Sequence, residues 1–409
     1  MIENRLSGFP GGRFSFYFAA MIHNEEKYAL CALNRIFGFE PKVGHAIISE
    51  IGSAREIFCL PEKELDLIMG PWSKYKGRIC RKAVDEAAEE LHGLSSKGIR
   101  FIGCTEAGYP GMLLECEDPS IGLYVRSSTP PEELFIPRRN IAIVGTRDIS
   151  PYGTEWCTRI VEGLARSHDK PAIISGLALG TDICAHRTAL RCNLPTIGVM
   201  ATGPDSIYPH RHLEFAERLI STPGSALVTD YPPGTAPLAI HFLRRNRIIA
   251  GMSDATILVE SKIRGGGMMT ARLAYSYNRD VYALPGRIDD SRSQGCNLLI
   301  KEKIAEAVDS VDGMMDSMGM KRSREGILPT ATEVIMDRFS GKTDPGTVME
   351  LAAIARTIRI RRGITLDDLS ATLRCDYSRI SRLAGMLEME GVISVDLLQR
   401  CTLNIRISR

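Results

Sequence analysis

Between Asn140 and Gly286 six short apolar runs recur with helical stretches between most of them, and no other feature of this 409-residue chain restricts its fold as strongly. The runs are NIAIVG (140–145), PAIISG (171–176), PTIGVMA (195–201), SALVTDY (225–231), ATILVES (255–261) and DVYALPG (280–286). Stretches such as Tyr152–His168 and Leu238–Met252 repeat apolar residues at helical spacing. Short apolar strands joined by helical crossovers pack as a mostly parallel sheet with helices on both faces. This predicts an α/β domain over residues 131–310, closed by NLLIKEKIAEAV.

The flanks read differently. Residues 25–130 read as a helical domain, whose first part, 25–100, shows helical periodicity and little strand signal, with Gly38, Gly52 and Gly98 where helices can end. A short IRFIGC strand follows within the same unit. Residues 311–346 are rich in Met, Ser and Gly and read as a linker with one short helix around 331–339. In residues 347–409 a helix starting after Thr365, a tight turn, a second helix ending at Gly391 and two small strands make a winged-helix pattern. Residues 1–24 are an N-terminal extension. Its apolar run Phe14–Ile22 has no convincing small-residue cleavage site, so Met21 as an alternative start is preferred to a signal peptide.

Composition narrows the function. The net charge is +2, which excludes a uniform basic field, so any nucleic-acid contact must come from local clustering of Arg and Lys. Eleven cysteines are scattered without a C-x-x-C pair or zinc spacing and read as reduced thiols of a cytoplasmic protein. No metal or cofactor is called for. No apolar run is long enough to span a bilayer. A dinucleotide fingerprint and a P-loop are both missing.

Polar and glycine-rich segments follow the strands directly, and ligands of open α/β sheets bind outside the strands' carboxyl ends. These segments are Gly145-Thr146-Arg147, Ser175-Gly176-Leu177-Ala178 running on to Thr181 and Asp182, and Gly265-Gly266-Gly267 with Thr270. Glycines let backbone N–H groups approach an anion, and helix N-termini aim them at it. Thr146, Ser175, Thr181 and Thr270 offer hydroxyls, and Arg147 offers a bidentate fork. The segment HFLRRNRIIAG adds Arg244, Arg245, Asn246 and Arg247. Three cations this close need compensation. They are either a phosphate clamp or a helical face paired with carboxylates such as Asp254 or Glu260. His186 and Asp182, four apart, are read as tying a helix N-terminus to its loop rather than as an acid–base pair.

The ordered motifs IAIVGTRDISPYG, SGLALGTDICAH, IYP, RNRIIAGMS, GGGMMTARLA, ALPG and GCNLLI resemble those of the DprA/Smf (DNA-processing protein A) family. The resemblance implies an extended Rossmann-like domain, an N-terminal sterile-alpha-motif-like (SAM-like) domain and a C-terminal winged helix. It implies single-stranded-DNA binding, loading of the recombinase RecA during natural transformation, a homodimer, and no enzymatic activity. Carried over, Gly145, Thr146, Arg147, Ser175, Gly176, Ala178, Arg244, Arg245, Asn246, Arg247, Gly266, Gly267 and Thr270 are the phosphate contacts. The dimer contact is expected around residues 280–308, through Leu298, Leu299, Ala305 and Val308. Two departures stand out. GGGMMTA replaces a serine-containing run, and GFEPKVG lacks the hairpin of DNA-binding helix-hairpin-helix motifs.

Two other classes compete. Rossmann-like nucleotide-processing enzymes that cleave N-glycosidic bonds carry P-G-G-x-G-T-x-x-E, and here Leu273 falls where that glutamate acts. A winged-helix regulator with a ligand-sensing domain fits the order of the domains.

Overall fold

The computed structural model describes residues 11–135, 138–320, 331–339, 342–361, 363–396 and 398–404. The first ten residues of the extension and residues 321–330 of the expected linker lie outside the described residues. The chain forms two units, residues 1–321 and 322–409.

The first unit opens with a helical bundle of α1 (Gly11–Phe37), α2 (Pro41–Ile51), α3 (Ala54–Ile57), α4 (Glu62–Met69) and α5 (Arg81–Ser95). Leu30, Leu33, Phe37, Ile57 and Ala87 are fully buried in it. Gly52 caps α2 at φ 85°, a left-handed position that glycine takes without a Cβ penalty. Then come β1 (Ile99–Gly103), α6 (Gly111–Leu114), β2 (Gly122–Arg126) and α7 (Pro131–Leu134).

The α/β region follows as expected. β3 (Asn140–Val144), α8 (Pro151–Leu164), β4 (Ala172–Gly176), α9 (Thr181–Arg191), β5 (Thr196–Val199), α10 (Leu213–Ser221) and β6 (Ala226–Thr229) come first. α11 (Ala239–Gly251), β7 (Ala255–Leu258), α12 (Gly266–Ser276), β8 (Asp280–Ala283), α13 (Gln294–Lys301), β9 (Glu306–Ala307) and α14 (Val311–Ser317) complete it. All nine strands make one sheet in the order β1-β2-β6-β5-β4-β3-β7-β8-β9. The seven strands from β6 to β9 are parallel. β2 pairs antiparallel with β1 and with β6, Val125 opposite Val228.

The segment expected to be a separate helical unit, 25–130, therefore supplies two strands to the sheet. Leu123, Tyr124 and Val125 of β2 are all fully buried, so both faces of that strand are covered. Alternation sets the core. Ile141, Ile143, Ile173 and Ile257 pack on one face with α8 and α9, while Ala142, Val144, Ile174 and Leu258 pack on the other. Each buried Ile or Leu contributes about 1.5–3 kcal/mol.

The chain steps outward from β3 to β6, then returns through α11 to place β7 on the opposite side of β3. That reversal between β3 and β7 is a topological switch point, where the loops part and leave a crevice.

The stripe expected to make the dimer contact is spent inside the protomer. Leu299, Ala305 and Val308 are buried, and Leu298 packs against the same core. α13 folds back over β8, so its apolar side covers the sheet.

The second unit holds α15 (Ala331–Phe339), α16 (Pro345–Ile360), α17 (Leu366–Leu373), α18 (Tyr377–Met389) and the hairpin β10 (Ile393–Val395)–β11 (Cys401–Leu403). Thr365 caps α17, accepting from Asp368 N at 3.2 Å. The span 311–346 is more structured than a linker. Met314 and Met315 of α14 are buried under α8, and Ile335 and Phe339 of α15 join the core of the second unit. Four of the methionines that give this span its linker-like composition, Met314, Met315, Met318 and Met320, fill a core. No helix among the described residues is long and apolar enough to cross a membrane.

Candidate nucleic-acid interface

A cavity of about 540 Å³ opens at the β3–β7 switch point. Three backbone segments build it. The loop after β3 brings Gly145, Thr146 and Arg147, the loop after β4 brings Ala178, and the start of α12 brings Gly266, Gly267 and Thr270. α11 closes the side with Phe242, Arg245 and Asn246.

Close packing explains the glycines. A Cβ on Gly267 would lie 2.7 Å from Leu258 Cδ1 and 3.1 Å from Gly145 Cα, so the α12 N-terminus can meet the end of β3 only if Gly267 stays bare. Gly180 has φ 74°, and a Cβ there would run into the Thr146 and Arg147 carbonyls. With these contacts α12 directs the N–H groups of its first turn, the positive end of its dipole, at the cavity. Asn246 Nδ2 donates to Gly266 O at 3.4 Å and ties α11 to that turn.

The cations divide by position. Arg147 is exposed and stacks on the Phe242 ring, 4.9 Å from its centroid. Phe242 in turn meets Tyr208 edge-on at 5.5 Å. Lys262 and Arg264, on the loop between β7 and α12, line the same cavity and are exposed. None of these three cations makes an ion pair among the described residues. Arg245 is buried, and Nη1 donates to Val199 O. Burial pulls its pKa below the usual arginine value, against the field of Asp182. Asp182 accepts from Ala178 N at 3.3 Å, and burial raises its pKa.

Arg244 and Arg247 require a correction. They stand three residues apart and so share a helix face, turned away from the cavity. Arg247 Nη2 donates to Asp230 and Nη1 to Asp118 O, and Arg244 lies 3.8 Å from Asp230. Their compensation is a carboxylate, as the alternative reading allowed, but the carboxylate is Asp230. Ser175 and Gly176 also sit beneath the cavity rather than in it. Ser175 Oγ donates to Ile143 O at 2.6 Å, and Gly176 lies under the Asp182 and Arg245 side chains. Thr181 and Thr270 likewise donate to backbone carbonyls, of Thr146 and Gly266, both at 3.2 Å. Thr146 Oγ1 instead accepts from Asp148 N at 3.1 Å, which leaves its own hydrogen for a ligand.

Sequence reasoning missed Lys262, Arg264, Phe242 and Tyr208 as lining residues. The signal was present: Ser261-Lys262-Ile263-Arg264 joins the end of a strand to the glycine run.

His186 is fully buried beneath the site. Nε2–H donates to Gly176 O and Nδ1 accepts from the Thr196 hydroxyl, both at 2.6 Å. It ties α9 to β4 and β5, whereas Asp182 makes the expected tie from the helix start to its loop. Burial drives its pKa down to about 4. A group whose folded pKa lies below its unfolded value stabilises fully above the unfolded pKa, and that stability is lost as pH falls. Stability should therefore decline from about pH 6.5 toward pH 4, by on the order of 3 kcal/mol. The raised pKa of Asp182 acts in the opposite sense, so His186→Gln is the informative comparison. Urea midpoints at pH 7 and pH 4.5 should fall further apart for the wild type than for the variant. Equal gaps would remove His186 as the cause.

A parallel sheet with glycine-lined helix starts and cations without ion pairs among the described residues at its switch point defines a Rossmann-like class of protein. Residues 100–319 match the family model described as DNA recombination-mediator protein A. The chain belongs to that family. It is 40% identical over 222 residues to Protein Smf of Escherichia coli, covering 54% of this chain and 57% of that protein's length. It is 34% identical over 346 residues to Protein Smf of Synechocystis, covering 82% and 83%. The crystal structure of DNA processing protein A from Streptococcus pneumoniae superposes with a TM-score of 0.54 at 27% identity, covering 72% of this chain and 96% of that one.

Proposed function

We propose that this protein binds single-stranded DNA in the switch-point groove and works as a recombination mediator, protecting incoming strands and loading RecA during natural transformation. The observation that carries the reading is the convergence of Arg147, Lys262 and Arg264 with the bare N-terminus of α12 in one open groove. Such donors read phosphates and ignore base identity. Arg147, Phe242 and Tyr208 add an aromatic and cationic wall suited to unstacked bases. The action is binding in the cytoplasm, not catalysis: His186 and Asp182, the pair most like an acid and a base, are engaged in holding α9 in place.

The test is a gel shift of short unstructured oligonucleotides at two salt concentrations. Affinity should be nearly independent of sequence, and each phosphate contact should add about 0.7 to the log–log salt slope. A flat salt response would sink the reading. Duplex DNA bound in preference to single strands would favour the regulator instead.

The winged helix is auxiliary in this reading. Residues 347–409 hold ten Arg and seven acidic residues, a net of +3. Arg379 on α18 is held by Glu350 of α16 at 2.7 Å, leaving Arg382 as the exposed cation beside it. Deleting residues 322–409, the whole second unit, is expected to retain most single-strand affinity. Loss of nearly all of it would move the main site there. A homodimer completes the proposal, because two grooves on one strand turn the second contact into an intramolecular one. Light scattering decides this point: a monomer that still binds short oligonucleotides tightly contradicts it.

A further inference from the structure

We propose that Cys157 and Cys184 are a modification site at which a hydroperoxide converts two facing thiols into a disulfide, and that this loosens the groove. The effect on the groove rests on the single-strand reading above; the disulfide does not.

The two cysteines stand on α8 and α9, helices packed side by side. Their placement is reciprocal. Cys184 Sγ lies 3.9 Å from the carbonyl oxygen of Thr154, one turn before Cys157 on α8. Cys157 Sγ lies 4.0 Å from the carbonyl oxygen of Thr181, one turn before Cys184 on α9. Each thiol points across to the other helix, toward the turn that carries the other cysteine. Cys157 is fully buried and Cys184 half-buried. Thr158 Oγ1 sits 3.9 Å from Cys184 Sγ. Cys184 is the more accessible of the two, so a small oxidant meets it first.

The surroundings favour that order. The facing Cys157 thiol, helped by Thr158 and Thr188, lowers the Cys184 pKa to about 6, and the thiolate is the nucleophile. Its sulfur attacks the hydroperoxide. An S–O bond forms, the O–O bond breaks, and the leaving alkoxide or hydroxide takes a proton from water. Cys157 sulfur then attacks the Cys184 sulfenic acid. The S–S bond forms, the S–O bond breaks, and hydroxide leaves with the Cys157 proton as water. The two thiols lose two electrons, and the hydroperoxide gains them.

Closing a covalent S–S bond between them draws the two helices together at this point. Thr181 opens α9 and donates both its N–H and its hydroxyl to Thr146 O, at 3.1 and 3.2 Å. Movement of α9 therefore reaches Thr146 and, next to it, Arg147.

The experiment uses the full chain, reduced, desalted and exposed to hydrogen peroxide. Peptides are mapped without reduction, and affinity for a labelled oligo-dT is read by fluorescence anisotropy. The expected result is a Cys157–Cys184 linked pair and affinity about tenfold weaker. Dithiothreitol should restore it, and Cys184→Ser should show neither change. Cys184 recovered only as sulfinic or sulfonic acid, or linked elsewhere, overturns the site in the wild type alone. A linked pair with unchanged affinity overturns the effect on the groove. A reduced protein that ignores the oligonucleotide sinks the single-strand reading and the groove effect together, while the mapping still decides the disulfide.

Discussion

Replacing Asp230 with alanine is expected to destabilise the first unit by about 3–5 kcal/mol, the cost of leaving a buried charge without its partner. Asp230 and Arg247 are both buried, and one carboxylate oxygen receives Arg247 Nη2 together with Ser120 Oγ at 3.2 Å. Arg244 faces the same oxygen. Alanine would leave two guanidinium groups in a low-dielectric space without the carboxylate that both of them face. Arg247 cannot swing out to water easily, because its other nitrogen is held by Asp118 O. The melting temperature should fall on the order of 10 °C. Single-strand affinity per folded molecule should not change, since this face of α11 is turned from the groove. A variant within about 1 kcal/mol of wild type would mean that Asp230 is not the counter-ion. A selective loss of affinity would return these arginines to the phosphate clamp.

Arg147→Ala should have the opposite profile. A charge-assisted hydrogen bond contributes about 1.5–3 kcal/mol, so affinity for single strands should drop roughly ten- to a hundredfold. Arg147 is exposed and has no carboxylate partner among the described residues, so stability should stay within about 0.5 kcal/mol of wild type. The salt slope should fall by about 0.7, the signature of one lost phosphate contact. Lys262→Ala and Arg264→Ala should each act in the same direction. If the melting temperature falls and affinity holds, Arg147 supports Phe242 and does not touch the strand.

The two arginine groups show what a sequence can and cannot convey. The place of Arg147 in the groove was legible because it follows from position after a strand, and strand ends are local features. All six apolar runs of the α/β region are strands, and Thr365 and Gly391 frame the helices of the winged unit as expected. Arg244, Arg245 and Arg247 look alike in a row, yet helical phase sends them different ways. Which phase faces the groove depends on Asp230, in a different element. The same holds for the hydroxyls. Ser175, Thr181 and Thr270 were plausible donors, but carbonyls one strand or one turn away claim their hydrogens. For Leu299 and Val308 an apolar stripe was visible, but its partner was not. The sheet needed the stripe before any second copy could use it.

The pairing of β2 with β6 bears on how this protein can be dissected. Residues 124–126 meet 227–229 across about a hundred positions of chain, and they complete the ladder on that side. A truncated chain starting at residue 131 would keep every residue of the groove and lose that cover. β6 would then expose a row of unpaired N–H and C=O groups beside fully buried Ala226, Leu227 and Val228. Such a row is a template for strands of other molecules. The shortest well-behaved version of the α/β unit therefore begins before β1, and the helical front end acts less as an accessory module than as the guard against self-association.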